Sequence, residues 1–249
     1  MEQIFFLPLP LVSYQKAWEL QLYLVEKAYK ENLPGFLLLL EHHPVVTLGR
    51  SANVANLRLS LEGLREKGIG LFRVERGGDV TYHGPGQIVG YPIFNLRFFG
   101  KDVHRFVRLL EEVLIRFLRN YQVEAFRFPP YTGVWVNPEK PEKIAAIGVA
   151  VRRWVTFHGF ALNVSTDLTP FSYIIPCGIR EFGVTSLEKC TTKKYSLKER
   201  KAMCREIGKI FGEVFSFSVK ELSASSQEAV LDFLEKNDKE RLSLVSTLD

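Results

Sequence analysis

The stretch Arg76-Gly77-Gly78-Asp79-Val80-Thr81-Tyr82-His83-Gly84-Pro85-Gly86-Gln87-Ile88-Val89-Gly90-Tyr91 holds five glycines, four of them between two largely apolar runs, Leu71 to Val74 and Ile88 to Phe94. Glycine loses more conformational freedom on folding than any other residue, so a cluster this dense marks backbone that takes positive φ or lies hard against another group. Arg76, Thr81, His83 and Gln87 are interleaved with the glycines, which is the composition of a site-forming loop. The common nucleotide loops do not fit. G-x-G-x-x-G requires glycines that open a helix, and G-x-x-x-x-G-K-[ST] requires a lysine absent here.

Outward from this loop the chain alternates strands and helices irregularly. Ile4 to Leu7 reads as a strand, and Ser13 as the cap of a helix to about Asn32 with Trp18, Leu22, Val25 and Tyr29 on one stripe. Phe36 to Glu41 and Val45 to Leu48 are expected strands separated by His42-His43-Pro44. Adjacent histidines on extended chain point to opposite faces and make poor joint metal ligands. Leu61 to Lys67 is a short helix capped by Ser60. Asp102 caps a helix to Asn120 whose core stripe is Phe106, Leu110, Val113, Leu114, Phe117 and Leu118. Gly133 to Val136, Lys143 to Arg153 and Val155 to Val164 are strands, the last two a hairpin across Arg153-Trp154. Ser196 with Glu199 is a capping box for a helix to about Phe211, and Ser225 with Glu228 repeats it before a polar tail helix. The absence of regular βαβ alternation predicts an α+β fold over a doubly wound parallel sheet.

No linker composition or repeat divides the 249 residues, which predicts one catalytic domain over residues 1–220 and a helical tail over 221–249. No apolar run approaches the roughly 20 residues of a membrane span, and no secretory signal is visible. Three cysteines, Cys177, Cys190 and Cys204, are too few and too widely spaced for a disulfide framework or zinc site and suit a reducing cytoplasm. Lys and Arg exceed Asp and Glu by 33 to 28. The excess gathers in Arg97, Lys101, Arg105 and Arg108, in Arg152-Arg153, and in Lys193-Lys194 with Lys198, Arg200 and Lys201. The aromatics alternate with aliphatics rather than with these cations, so they read as core and not as base-stacking platforms. An acidic protein partner fits the charge better than nucleic acid.

Two further residues stand out. Cys177, between Pro176 and Gly178, falls on a turn from which a thiol can reach a cleft, although most cysteines are simply buried apolar residues. Lys143 opens the small, apolar run Ile144 to Gly148, a position often held by an exposed strand-guarding lysine.

The glycine stretch resembles closely the signature of the octanoyltransferases of lipoate biosynthesis, R-G-G-x-x-T-[aromatic]-H-x-x-G-Q, with every fixed position filled. The likeness runs from about Glu41 to Ser186 and includes K-I-A at Lys143, F-H-G-x-A-L-N-V at Phe157 to Val164, and P-C-G at Cys177. It departs at His42-His43-Pro44, where H-P-P is more usual, and the tail beyond about Val219 has no obvious counterpart in the family. The resemblance implies the biotin and lipoate protein ligase catalytic fold, a mixed sheet flanked by helices. It implies Cys177 as nucleophile and Lys143 as its acid–base partner. It further implies an acyl-binding lining of Arg76, Gly77, Gly78, Asp79, Val80, Thr81, Tyr82 and His83, with Ala146, Ile147, Gly148, His158, Gly159, Phe160 and Ala161. His83 then belongs to the substrate site, not to a Cys–His dyad.

By the same resemblance the octanoyl group arrives on the phosphopantetheine arm of acyl carrier protein. It leaves on a lysine of lipoyl domains, in 2-oxoacid dehydrogenase subunits and the glycine cleavage H protein. No ATP, metal, nucleic acid or membrane takes part, and the enzyme is a monomer. An ATP-dependent lipoate–protein ligase of the same fold, or a non-catalytic module that binds the carrier or lipoyl domains, would not need the Pro-Cys-Gly thiol.

Overall fold

The computed structural model describes residues 2–235. In chain order the elements are β1 (Gln3–Val12), α1 (Tyr14–Lys30), β2 (Gly35–His42), β3 (Val45–Leu48), α2 (Leu61–Glu66), β4 (Gly70–Arg73), β5 (Val80–His83), β6 (Gln87–Phe94) and α3 (Val103–Asn120). Then come β7 (Phe126–Phe128), β8 (Tyr131–Val136), β9 (Glu142–Arg152), β10 (Val155–Asn163), β11 (Gly183–Val184), α4 (Leu187–Thr191), α5 (Leu197–Phe215), β12 (Ser218–Glu221) and α6 (Ala224–Glu235).

The main sheet runs β12-β1-β2-β6-β10-β9-β8-β7, with β11 added beside β9. Its β12-β1-β2 end is parallel and the remainder from β2 to β7 antiparallel, so the sheet is mixed and the fold α+β. Period-2 alternation sends neighbouring residues to opposite layers. Leu37 and Leu39 join the core under α3 and α5, whereas Phe36, Leu38 and Leu40 join the core under α1. A second sheet, β4-β3-β5, packs with α2 and the 169–173 turn around Val46, Val80, Tyr82 and Phe171.

Several expectations shift. The first strand extends to Val12 despite Pro8 and Pro10. It does so because β12 pairs only Gln3 to Phe6, and Pro10 falls where the pairing with β2 changes register between Pro8 and Leu11. The buried face of α1 is Ala17, Leu20, Leu24, Val25 and Ala28, not the expected stripe, of which Trp18, Leu22 and Tyr29 stay partly exposed. Its two alanines bring the helix close to the sheet while the bulkier side chains flank the contact. The Ser60 and Asp102 caps and the Ser196–Glu199 capping box form as expected, α5 running on to Phe215. The β9–β10 hairpin turns at Arg153 and Trp154, both at positive φ, the geometry of a two-residue turn that matches strand twist. In the tail, Ser223 rather than Ser225 accepts the capping bond, from the Ser226 amide, and Val230 is buried against α1. The expected tail beyond Glu235 lies outside the described residues. Among the described residues no helix is long and apolar enough to cross a membrane.

Candidate active site

The glycine loop joins β4 to β5 and is laid across β9. The Gly77 amide donates to the Val149 carbonyl, and the amides of Gly49, Arg50 and Ser51 donate to the carbonyls of Asp79, Arg76 and Gly78. Gly78 sits at φ +87, and a Cβ on Gly148 would stand 2.8 Å from the Gly77 carbonyl oxygen. Glycine is therefore required on both sides of this crossing. Arg76 is buried and gives three hydrogen bonds to Thr47, two to its hydroxyl and one to its carbonyl. Burial lowers its pKa from the usual guanidinium value. Asp79 accepts from the amides of Asn53 and Val80 and from the Asn56 side chain.

Between this loop and the sheet lies a narrow cleft of about 50 Å³. From the expected set, Arg76, Gly77, Gly78, Asp79, Thr81, His83, Ala146, Ile147, Gly148, His158, Gly159, Phe160, Ala161 and Cys177 line it. Val80 and Tyr82 do not. Alternation along β5 sends them into the core of the small sheet, where Tyr82 meets Phe171 edge-on. An adjoining crevice is lined by Lys143, Cys177, Gln87 and Asn163 among others.

Cys177 and Lys143 meet at this junction, with Lys143 Nζ 3.5 Å from Cys177 Sγ and 3.2 Å from the Thr132 carbonyl oxygen. Two local distortions make the approach. Cys177 holds φ +57 and ψ +16 in the turn Pro176–Gly178, a costly conformation for a residue with a Cβ and one that collects at functional sites. On β9 the pairing with β8 jumps from Val134↔Ala145 to Trp135↔Lys143. This bulge turns both Ile144 and Ala145 toward the α3–α5 core, so that Ala146 and Lys143 share the cleft side. Cys190 and Cys204 lie elsewhere, and burial raises both thiols, Cys204 to about 12.

Four residues outside the expected set matter. Gln87 donates to the Asn163 side-chain oxygen and to the Tyr82 carbonyl, and its own side-chain oxygen accepts from His83 Nδ1, 2.8 Å away. Asn163 in turn donates to the Thr185 carbonyl, and the Thr185 amide donates to the Lys143 carbonyl. A chain of bonds thus runs from His83 to the backbone of Lys143. Gln87 and Asn163 were visible in the two sequence blocks. Tyr14 and Tyr91 line the cleft from α1 and β6, and nothing local in the sequence marks them.

The far wall is a cluster of buried rings: Tyr14, His42, His83, Tyr91 and His158. His42 Nδ1 faces the Val12 carbonyl at 2.8 Å and its Nε2 the Tyr91 hydroxyl at 2.7 Å, whereas His43 is exposed. His158 Nε2 stands 3.5 Å from Glu75 without hydrogen-bond geometry. Burial lowers all three imidazoles, His42 to about 4. Each folded value lies below the unfolded one, so the native state binds fewer protons and stability is complete above about pH 6.5. It is then lost as the pH falls toward 4, His42 alone contributing on the order of 3 kcal/mol. Urea midpoints measured from pH 7 to 4.5 should fall steeply, and His42→Gln should flatten the slope; an unchanged slope would remove His42 from this account.

A thiol and an amine in contact beside a cleft are groups of the kind that acyl-transfer enzymes use. The comparisons agree. Residues 13–207 match the model of the lipoyl protein ligase A/B catalytic domain. An octanoyltransferase of Caldicellulosiruptor saccharolyticus is 47% identical across 94% of this chain and 97% of its own length. One from Rubrobacter xylanophilus is 55% identical across 72% and 80%. In fold, the bipartite lipoate protein ligase of Thermoplasma acidophilum matches with a TM-score of 0.66 at 18% identity, over 98% of this chain and 97% of that one. The chain belongs to the lipoyl protein ligase A/B catalytic family and within it to the octanoyltransferases, and it is an acyltransferase.

Proposed function

We propose that this enzyme moves an octanoyl group from the phosphopantetheine thioester of acyl carrier protein to a lysine ε-amine of a lipoyl domain, through a thioester on Cys177. The 3.5 Å approach of Lys143 Nζ to Cys177 Sγ at the cleft wall carries the reading. The Cys177 thiolate attacks the donor carbonyl, and Lys143 gives a proton to the departing carrier thiol. The acceptor amine then attacks the Cys177 thioester, and Lys143 takes its proton as the Cys177 thiolate leaves. The first step exchanges one thioester for another; the second makes an amide and drives the sequence. Because a free lysine amine has a pKa of about 10.4, the second step needs such a base. The amides of Gly77, Gly178 and Ile179 are already engaged by backbone carbonyls, so the oxyanion donors come from the remaining amides of these two loops.

The test is transfer from octanoyl carrier protein to a lipoyl domain without ATP. Amide formation in that mixture supports the reading. Transfer that appears only with free octanoate and ATP would make the protein a ligase, and retention of both partners without transfer would make it a binding module.

The docking surface should be basic and near the thiol. Arg152 and Arg153 are not: they close the β9–β10 hairpin nine residues beyond Lys143, about 30 Å along the strand. Arg50, adjoining the glycine loop, and Arg180, three residues past Cys177, are exposed at the right end. Carrier proteins are acidic, and steering over a Debye length of about 8 Å weakens with salt. Charge reversal at Arg50 and Arg180 should raise KM for octanoyl carrier protein and flatten its salt dependence, with little effect on octanoyl-coenzyme A. Reversal at Arg152 and Arg153 should leave both alone; a larger effect there would move the docking surface to the hairpin.

A further inference from the structure

The Lys143 amine touches a third group that the reaction above does not use. Its Nζ lies 4.9 Å from the ring centroid of Trp135, over the face of the indole. Trp135 is the cross-strand partner of Lys143 only because of the β9 bulge; an uninterrupted register would set Trp135 opposite Ile144. The indole is 1% exposed and is fixed by Phe128, Tyr131 and Phe182, with centroids 5.2, 5.8 and 5.6 Å away. Its own Nε1 has no hydrogen-bond partner, so ring packing alone sets its orientation. Phe182 follows the Cys177 turn by a few residues, which ties the ring to the loop that carries the thiol.

We propose that Trp135 is a positioning residue for acyl transfer: its π face holds the Lys143 ammonium beside the Cys177 sulfur. A cation over an indole is attracted by the ring quadrupole, more strongly when desolvated, and the neutral amine gains nothing comparable. This rests on the acid–base role given to Lys143 above. The ring holds the ammonium that serves as acid in the first half-reaction and that must release its proton in the second, so weakening the ring face is expected to change the pH dependence of the second half-reaction.

The other groups around the amine leave room for that control. From α3, Glu111 is buried but held by Arg108, Arg127 and the Gly133 amide. On β9 itself, Glu142 accepts from Asn137. From β10 and β11 come the neutral Asn163 and Val184, and Arg76 lines the cleft together with Cys177. Asp79 shares the cleft wall with Arg76 and Cys177, and the groups in contact with the amine besides the Cys177 sulfur are the indole face and the Thr132 carbonyl.

The experiment uses the full chain with Trp18 and Trp154 changed to Phe, which leaves Trp135 as the one tryptophan of three. The protein is produced with tryptophan or with mono-, di- or trifluorotryptophan, which drain the ring face at nearly constant shape. Octanoyl is loaded on Cys177, and its transfer to hydroxylamine, which is neutral throughout the range, is followed against pH. The ascending limb should move to lower pH with each fluorine, reaching on the order of one pH unit for Trp135→Leu. A limb that depends on Lys143 yet stays put through the fluorinated series overturns the role of Trp135. A limb that persists unchanged in Lys143→Met instead overturns the base role itself. The fluorinated proteins preserve the packed ring, so the outcome does not hinge on whether Trp135→Leu folds.

Discussion

Cys177→Ala is expected to abolish octanoyl transfer, with a loss on the order of 10⁴-fold or more, as for the removal of other covalent nucleophiles. Octanoyl carrier protein alone should add one octanoyl group to the wild-type chain, visible in the intact mass and removed by hydroxylamine, and none to Cys177→Ala. The sulfur is placed for this by the positive-φ turn Pro176–Gly178 and by the amine 3.5 Å away. Cys190→Ala and Cys204→Ala should load normally, since burial raises both thiols and neither lines the cleft. Normal turnover by Cys177→Ala would end the covalent mechanism.

Lys143→Ala should cost on the order of 10²-fold or more, within the range for loss of a general acid–base group. Lys143→Arg should not recover it, because a guanidinium does not release its proton near neutral pH. The same variants separate two duties of the amine. If the ammonium also stabilises the Cys177 thiolate, alkylation of Cys177 by iodoacetamide moves to higher pH in Lys143→Ala but not in Lys143→Arg, which keeps the charge. An unchanged alkylation profile in Lys143→Ala would leave Lys143 with proton transfer alone.

Much of this site was legible in the sequence because its parts lie in short blocks with local causes. The crowding of Gly148 against the Gly77 carbonyl and the positive φ of Gly78 are backbone requirements, and they surface as glycines in two blocks. Cys177 stands out through the proline and glycine that force its turn. What could not be read depends on packing between distant segments. Val80 and Tyr82 lie inside the signature but face away from the cleft, and only the pairing of β5 with β3 fixes which alternate residues turn inward. Tyr14 reaches the cleft from a helix more than sixty positions earlier in the chain. The β9 bulge leaves no mark in the run Lys143 to Gly148, yet it decides that Lys143 and Ala146 share a face and that Trp135 lies against the amine. The basic Arg152-Arg153 pair illustrates the same limit: adjacent in sequence to site strands, it sits at their far end.

The central claim is that the acyl group passes through Cys177 on its way to the acceptor. The most direct measurement isolates the enzyme loaded with isotopically labelled octanoyl, free of carrier protein, and mixes it rapidly with a lipoyl domain without ATP. The label is expected to map to Cys177 before mixing and to appear on the lipoyl-domain lysine at a rate no slower than steady-state turnover. A label that sits on another residue, or that stays on Cys177 while turnover with fresh carrier protein proceeds around it, would contradict it.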